Sequence, residues 1–97
     1  MSLESEFQSS LRNEIEELLP GSIVLKNDPN WLQGIPDLTI LYKGKWAFLE
    51  CKRGEKSVHQ DNQDYYIDSF KNYTYTNFIY PENKEVVLDE LQRSLKS

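Results

Sequence analysis

Ninety-seven residues, 38% hydrophobic and 28% charged, describe one domain over 1–97 with a modest core, and exclude a disordered chain or a second domain. No apolar run approaches the ~18 residues of a membrane-crossing helix. The acidic opening MSLESEF lacks the apolar segment of a secretory signal, and the lone Cys51 has no partner for an internal disulfide, so no membrane and a reducing cytoplasm are expected.

Leu3, Phe7, Leu11, Ile15, Leu18 and Leu19 recur at steps of three and four, which predicts an amphipathic helix over 3–19, stopped by Pro20-Gly21. The short β-branched stretch 22–26 reads as a strand. Asn27-Asp28-Pro29-Asn30 has loop composition, and Gly34-Ile35-Pro36 leads into a second strand over 37–42. Lys43-Gly44 makes a tight turn, so 45–52 returns as the third strand of a hairpin. Beyond a charged loop at 53–57, Tyr66, Ile67 and Phe70 are spaced for a helix over 59–71, and 74–80 is rich in strand formers. Pro81 precedes a closing amphipathic helix over 82–95 carrying Val86, Val87, Leu88, Leu91 and Leu95, with acids in its first turn. The order α-β-β-β-α-β-α predicts an α/β domain, a mixed four-stranded sheet flanked by helices.

The net charge of −5 weighs against a polyanionic partner. The acids, however, gather near the two ends, at Glu4, Glu6, Glu14, Glu16 and Glu17 and again at Glu82, Glu85, Asp89 and Glu90. Residues 43–56 hold Lys43, Lys45, Lys52, Arg53 and Lys56 against Glu50 and Glu55, so the middle of the chain is locally basic.

That middle also holds the residues suited to chemistry. Asp37 and Glu50 each lie six positions from the Lys43-Gly44 turn, so the hairpin pairs them. Side chains alternate along a strand, so Glu50 and Lys52 share a face and Cys51 points inward. Cross-strand neighbours on one face are about 5 Å apart. Two carboxylates so close repel unless a positive charge sits between them, which a divalent cation such as Mg²⁺ or Mn²⁺ does with its preference for hard oxygen ligands. Such a metal activates water and stabilises charge on a phosphodiester, and a lysine beside it assists. The backbone carbonyl of Cys51 is a candidate further ligand. An ordinary salt bridge at an exposed strand end is the plain alternative for the triplet alone.

Pro36-Asp37, twelve intervening residues and Glu50-Cys51-Lys52 resemble the PD-(D/E)XK nuclease superfamily. The runs GIPDLTIL and WAFLECKR, the glutamine before an aromatic helix at Gln63-Asp64-Tyr65-Tyr66, and FIYPENK at 78–84 are similar to small stand-alone VRR-NUC and Holliday-junction-resolvase-like nucleases of phages. This resemblance implies a restriction-endonuclease-like core and an endodeoxyribonuclease acting on branched DNA, in a bacterial or phage-infected cell. It also implies a metal-binding glutamate on the first helix. Glu4, with Phe7, Gln8 and Leu11 after it, fits the family spacing and falls near the apolar stripe, and Glu6 is the fallback. Gln63, with Gln60 as its rival, is the family glutamine beside Lys52. Lys26 resembles a family lysine able to reach phosphate, and Arg53 and Lys56 are further candidates for nucleic-acid contact. Cutting a two-fold symmetric junction on two strands needs two sites, so a homodimer is expected. A non-catalytic nucleic-acid-binding or interaction module retaining this fold is the alternative, favoured by the acidic balance.

Of the remaining residues, Trp46 is expected in the core, while Trp31, in the loop before Gly34, is placed to touch DNA. The tyrosines serve packing or base stacking. His59 lacks the His and Cys company of a zinc site and reads as a surface or helix-start residue.

Overall fold

The apolar stripe of the N-terminal segment winds into α1 (Leu3–Leu18), and its Leu11, Ile15 and the following Leu19 are wholly buried. The computed structural model describes residues 3–59 and 62–97, with side chains from Ser5 onward. Among these the chain continues as β1 (Ile23–Lys26), β2 (Leu38–Tyr42), β3 (Lys45–Cys51), α2 (Gln63–Phe70), β4 (Thr76–Ile79) and α3 (Lys84–Lys96). The sheet order is β1-β2-β3-β4; the first two pairings are antiparallel and β3–β4 is parallel, with α2 in the crossover. This is the expected mixed sheet flanked by helices.

The β2–β3 hairpin is set by its turn. Lys43 and Gly44 both adopt positive φ, +48° and +80°, as the turn matching the right-handed twist of two strands requires. Tyr42 then pairs with Lys45 and Leu38 with Leu49. One face of the sheet presents Leu38, Ile40, Tyr42, Ala47, Leu49, Cys51 and Ile79, packed with Leu11, Ile15 and Leu19 and with Val87, Leu88, Leu91 and Leu95 of α3. Each such side chain contributes about 1.5–3 kcal/mol through removal from water. Lys84 bonds Glu14 at 2.9 and 3.1 Å, tying α3 to α1. Tyr75 donates to Glu90 at 2.6 Å, and burial, with that contact behind it, holds the Tyr75 phenol well above its ordinary pKa.

The other face is covered only in part. Ile67 of α2 is buried, and Phe70 packs on Phe48 with ring centroids 4.7 Å apart. Trp46 is a correction: it stands opposite Leu41 on this second face, beyond the reach of α2, and stays 43% exposed with Ile23, Leu25 and Leu41 around it. Two helix starts also shift. The helix expected from 59 begins at Gln63, because Asn62 has φ +73°, a left-handed conformation that a right-handed helix cannot include. The helix expected from 82 begins at Lys84, because the Asn83 side chain accepts from Tyr80 N–H and donates to the Phe78 carbonyl, tying the preceding residues into a turn. No helix among the described residues is long and apolar enough to cross a membrane.

Candidate active site

Continuing the β2–β3 register one step past Leu38 and Leu49 brings Asp37 opposite Glu50. Their pairing is explicit in hydrogen bonds. The Asp37 N–H donates to Glu50 Oε1 at 3.1 Å, and the Cys51 N–H donates to Asp37 Oδ2 at 2.9 Å. Each carboxylate is thus fixed by the backbone of the opposing strand. Cys51 buries its side chain in the core while its peptide edge faces Asp37. A strand residue turns its N–H and C=O toward the same neighbour, so the Cys51 carbonyl leaves β3 on the Asp37 side too.

Glu50 and Lys52 are only 2% and 6% exposed. Buried charges are stable only when hydrogen-bonded or paired, and Gln63 supplies the partner for both. Lys52 Nζ donates to Gln63 Oε1 at 2.5 Å, and Gln63 Nε2 donates to Glu50 Oε2 at 2.8 Å. The amide is therefore oriented by opposite charges at its two ends. Lys52 Nζ also lies 3.4 Å from the Val58 carbonyl and 3.8 Å from Glu50 Oε2. The first residue of α2 thus completes an arrangement begun by the hairpin.

A residue that composition alone assigned to a loop proves structural. Asn27 donates from its side chain to the Pro36 carbonyl at 2.8 Å, and its N–H reaches the Asp37 carbonyl at 2.8 Å. It also shares hydrogen bonds of 2.9 and 3.1 Å with Thr39. These contacts pin the backbone on both sides of Asp37, and the only hint of them in the sequence is an asparagine directly following a strand. Asp37, Glu50, Lys52, Arg53 and Gln63 line one open cavity of about 490 Å³. Gly34 forms part of its wall at φ +93°, where an added Cβ would lie 2.8 Å from Asn62 Cβ.

Other candidate residues are placed elsewhere. Lys26 lines a separate groove beneath α1, and Lys56 is exposed beside Glu55 and Glu82. The side chain of Glu4 and the whole of Gln60 lie outside the described residues; Glu6 is exposed. His59 is a surface residue as expected, stacked on Phe78 at 4.3 Å and bonded to Asp64 at 2.8 Å. Trp31 is exposed in its loop.

Among the described residues, no three of His, Cys, Asp and Glu gather as a ready metal cluster. Among the described residues, the carboxylates at the cavity are Asp37, just before β2, and Glu50 on β3. That fits Mg²⁺ or Mn²⁺, since Mg²⁺ commonly takes one or two carboxylates and completes its octahedron with water and substrate phosphate. Asp37 and Glu50 would hold it, and the buried ammonium beside them has the charge to meet a phosphate.

No family model matches the sequence, and no curated protein does. A solved structure described as a VRR_NUC domain is similar in fold, with a TM-score of 0.73 over 96% of this chain and 97% of that one, at 23% identity. The mixed four-stranded α/β fold expected from the sequence is the fold this chain shares with that domain.

Proposed function

We propose that this chain is a metal-dependent endodeoxyribonuclease. The observation that carries the reading is the mutual anchoring of Asp37 and Glu50 in one cavity with buried Lys52, whose ammonium is steered by Gln63. A module that only bound nucleic acid would have no use for two carboxylates where phosphate must approach. A bound Mg²⁺ or Mn²⁺ supplies an acidified water and charge neutralisation at the phosphodiester. The chain's own residues do the rest. Asp37 and Glu50 position oxygen ligands, with Glu4 from α1 and the Cys51 carbonyl as further donors. Lys52 orients the attacking water or meets the negative charge growing on the phosphate, and Gln63 holds Lys52 at that task. Arg53, at the cavity, and Lys26 and Lys56, outside it, contact the nucleic acid.

The favoured substrate is branched DNA such as a four-way junction, cut by a homodimer, in the cytoplasm of a bacterial or phage-infected cell. Substrate, assembly and setting rest on the resemblance of the PD…ECK motifs. The acidic balance of the chain favours the second reading, a non-catalytic binding module.

Asp37→Asn separates the two, because it keeps an oxygen for the Cys51 N–H while removing the charge a metal needs. Supercoiled plasmid and a synthetic junction are incubated with Mg²⁺ or Mn²⁺. The wild type is expected to cleave, and the variant to lose on the order of 10³-fold in rate with its circular dichroism unchanged. Equal cleavage by both removes Asp37 from the site, and no cleavage by the wild type favours the module.

A further inference from the structure

The flank of α1 beside its core stripe carries Ser5, Gln8, Ser9 and Arg12, spaced at three- and four-residue steps so that they form one row. With Lys26, Val24 and Leu38 they enclose a groove of about 330 Å³ between α1 and the β1 edge of the sheet. Among the described residues, the charged side chains lining it, Arg12 and Lys26, are both cationic, in a chain of net charge −5. Hydroxyls and an amide occupy the rest of its polar rim, over an apolar floor of Val24 and Leu38. That is the chemistry of a polyanion's track, with donors along the rim and an apolar base for sugar rings.

Its position ties it to the cavity described above. Lys26 pairs with Leu38, the residue after Asp37, and the Asn27 N–H is bonded to the Asp37 carbonyl. The groove opens on the α1 side of the sheet and the carboxylates on the α2 side, both at the end of β2 where Asp37 precedes Leu38. From Ser5 to Arg12 the row rises about 10 Å. Backbone charges along one DNA strand recur every ~3.4 Å of helix axis, so the row is long enough for about three.

We infer that this groove binds the sugar-phosphate backbone of DNA leaving the cleavage site. Arg12 and Lys26 take phosphates, and Gln8 and Ser9 donate from the rim. The inference rests on the nuclease reading for the identity of the polyanion. Arg12 is held by Glu16 at 2.9 Å, an exposed pair at i,i+4. Exposed pairs of this kind are weak, so a phosphate can take the guanidinium from its carboxylate.

The test is the salt dependence of binding. Fluorescence anisotropy with a labelled four-way junction in Ca²⁺ yields the slope of log affinity against log salt. Each cation that contacts phosphate contributes about 0.9 to that slope on duplex DNA. Arg12→Gln and Lys26→Gln are each expected to reduce it by about that amount. Glu16→Gln, which frees Arg12, is expected to tighten binding at low salt. Lys45→Gln, at the far end of the hairpin, removes the same charge and should leave the slope unchanged. An unchanged slope in Arg12→Gln, or an equal reduction in Lys45→Gln, overturns the groove, whether or not the wild type cleaves. A wild type that binds no DNA removes the groove and the nuclease reading together. One that binds with the expected slopes but cleaves nothing leaves the groove and removes only catalysis.

Discussion

Gln63 touches the ammonium of Lys52 and the carboxylate of Glu50 at once, so one neutral side chain settles the geometry of two buried charges. Removing it would leave the lysine to collapse onto Glu50, 3.8 Å away, and draw that carboxylate from a metal. Gln63→Ala is therefore expected to lower cleavage and raise the Mg²⁺ concentration needed for half-maximal rate, by about 10–100-fold, as outer partners of metal ligands typically do. Gln63→Glu, which keeps the acceptor for Lys52 but adds a charge facing Glu50, should not restore it. A variant whose metal requirement matched that of wild type would limit Gln63 to packing. At this scale the sequence was legible where backbone parity decides. Asp37, Glu50 and Lys52 follow from counting outward from a turn. The Asn27 contacts on Pro36 and Asp37 do not, since they depend on a loop closing in three dimensions.

Between elements, Gly34 sets how closely the loop before β2 approaches the start of α2. A Cβ there would stand 2.8 Å from Asn62 Cβ and 3.0 Å from Tyr66 Cδ2, at a φ of +93° that side chains rarely adopt. Gly34→Ala must push α2 outward or strain the loop, and α2 carries Gln63 at its first residue. We expect a loss of roughly 1–3 kcal/mol in stability, measured by urea denaturation, with a larger fractional loss of cleavage than Gly21→Ala, where nothing lies within 4 Å of the added carbon. Equal effects at the two glycines would show backbone strain alone at work. The start of α2 was not visible in the sequence for a related reason. Tyr66, Ile67 and Phe70 mark a helix face, but the left-handed turn at Asn62 that begins it is held where the chain packs against Gly34.

At the scale of the molecule, periodicity identified both faces of the sheet but not which one the helices would cover. Trp46, Leu41, Ile23 and Leu25 alternate correctly and remain exposed, because α1 and α3 occupy one face and the short α2 only a corner of the other. Two copies each carrying −5 repel, so the proposed homodimer needs an apolar surface to offset that repulsion. This patch, spread over β1, β2 and β3 and flanked among the described residues by Lys43 and Lys45, is a surface with that character. Sedimentation is expected to give a dimer for the wild type and a monomer for Trp46→Glu; a wild type that sediments as a monomer with and without junction DNA defeats the dimer. The parallel pairing of β3 with β4 bears on the order in which the molecule assembles. The carboxylate pair arises within a single hairpin, a local closure that forms fast, whereas β4 can join only after the crossover carrying α2 has folded back. Partial opening therefore begins with the late-joining half, and silences the lysine and glutamine while the two acids still face each other.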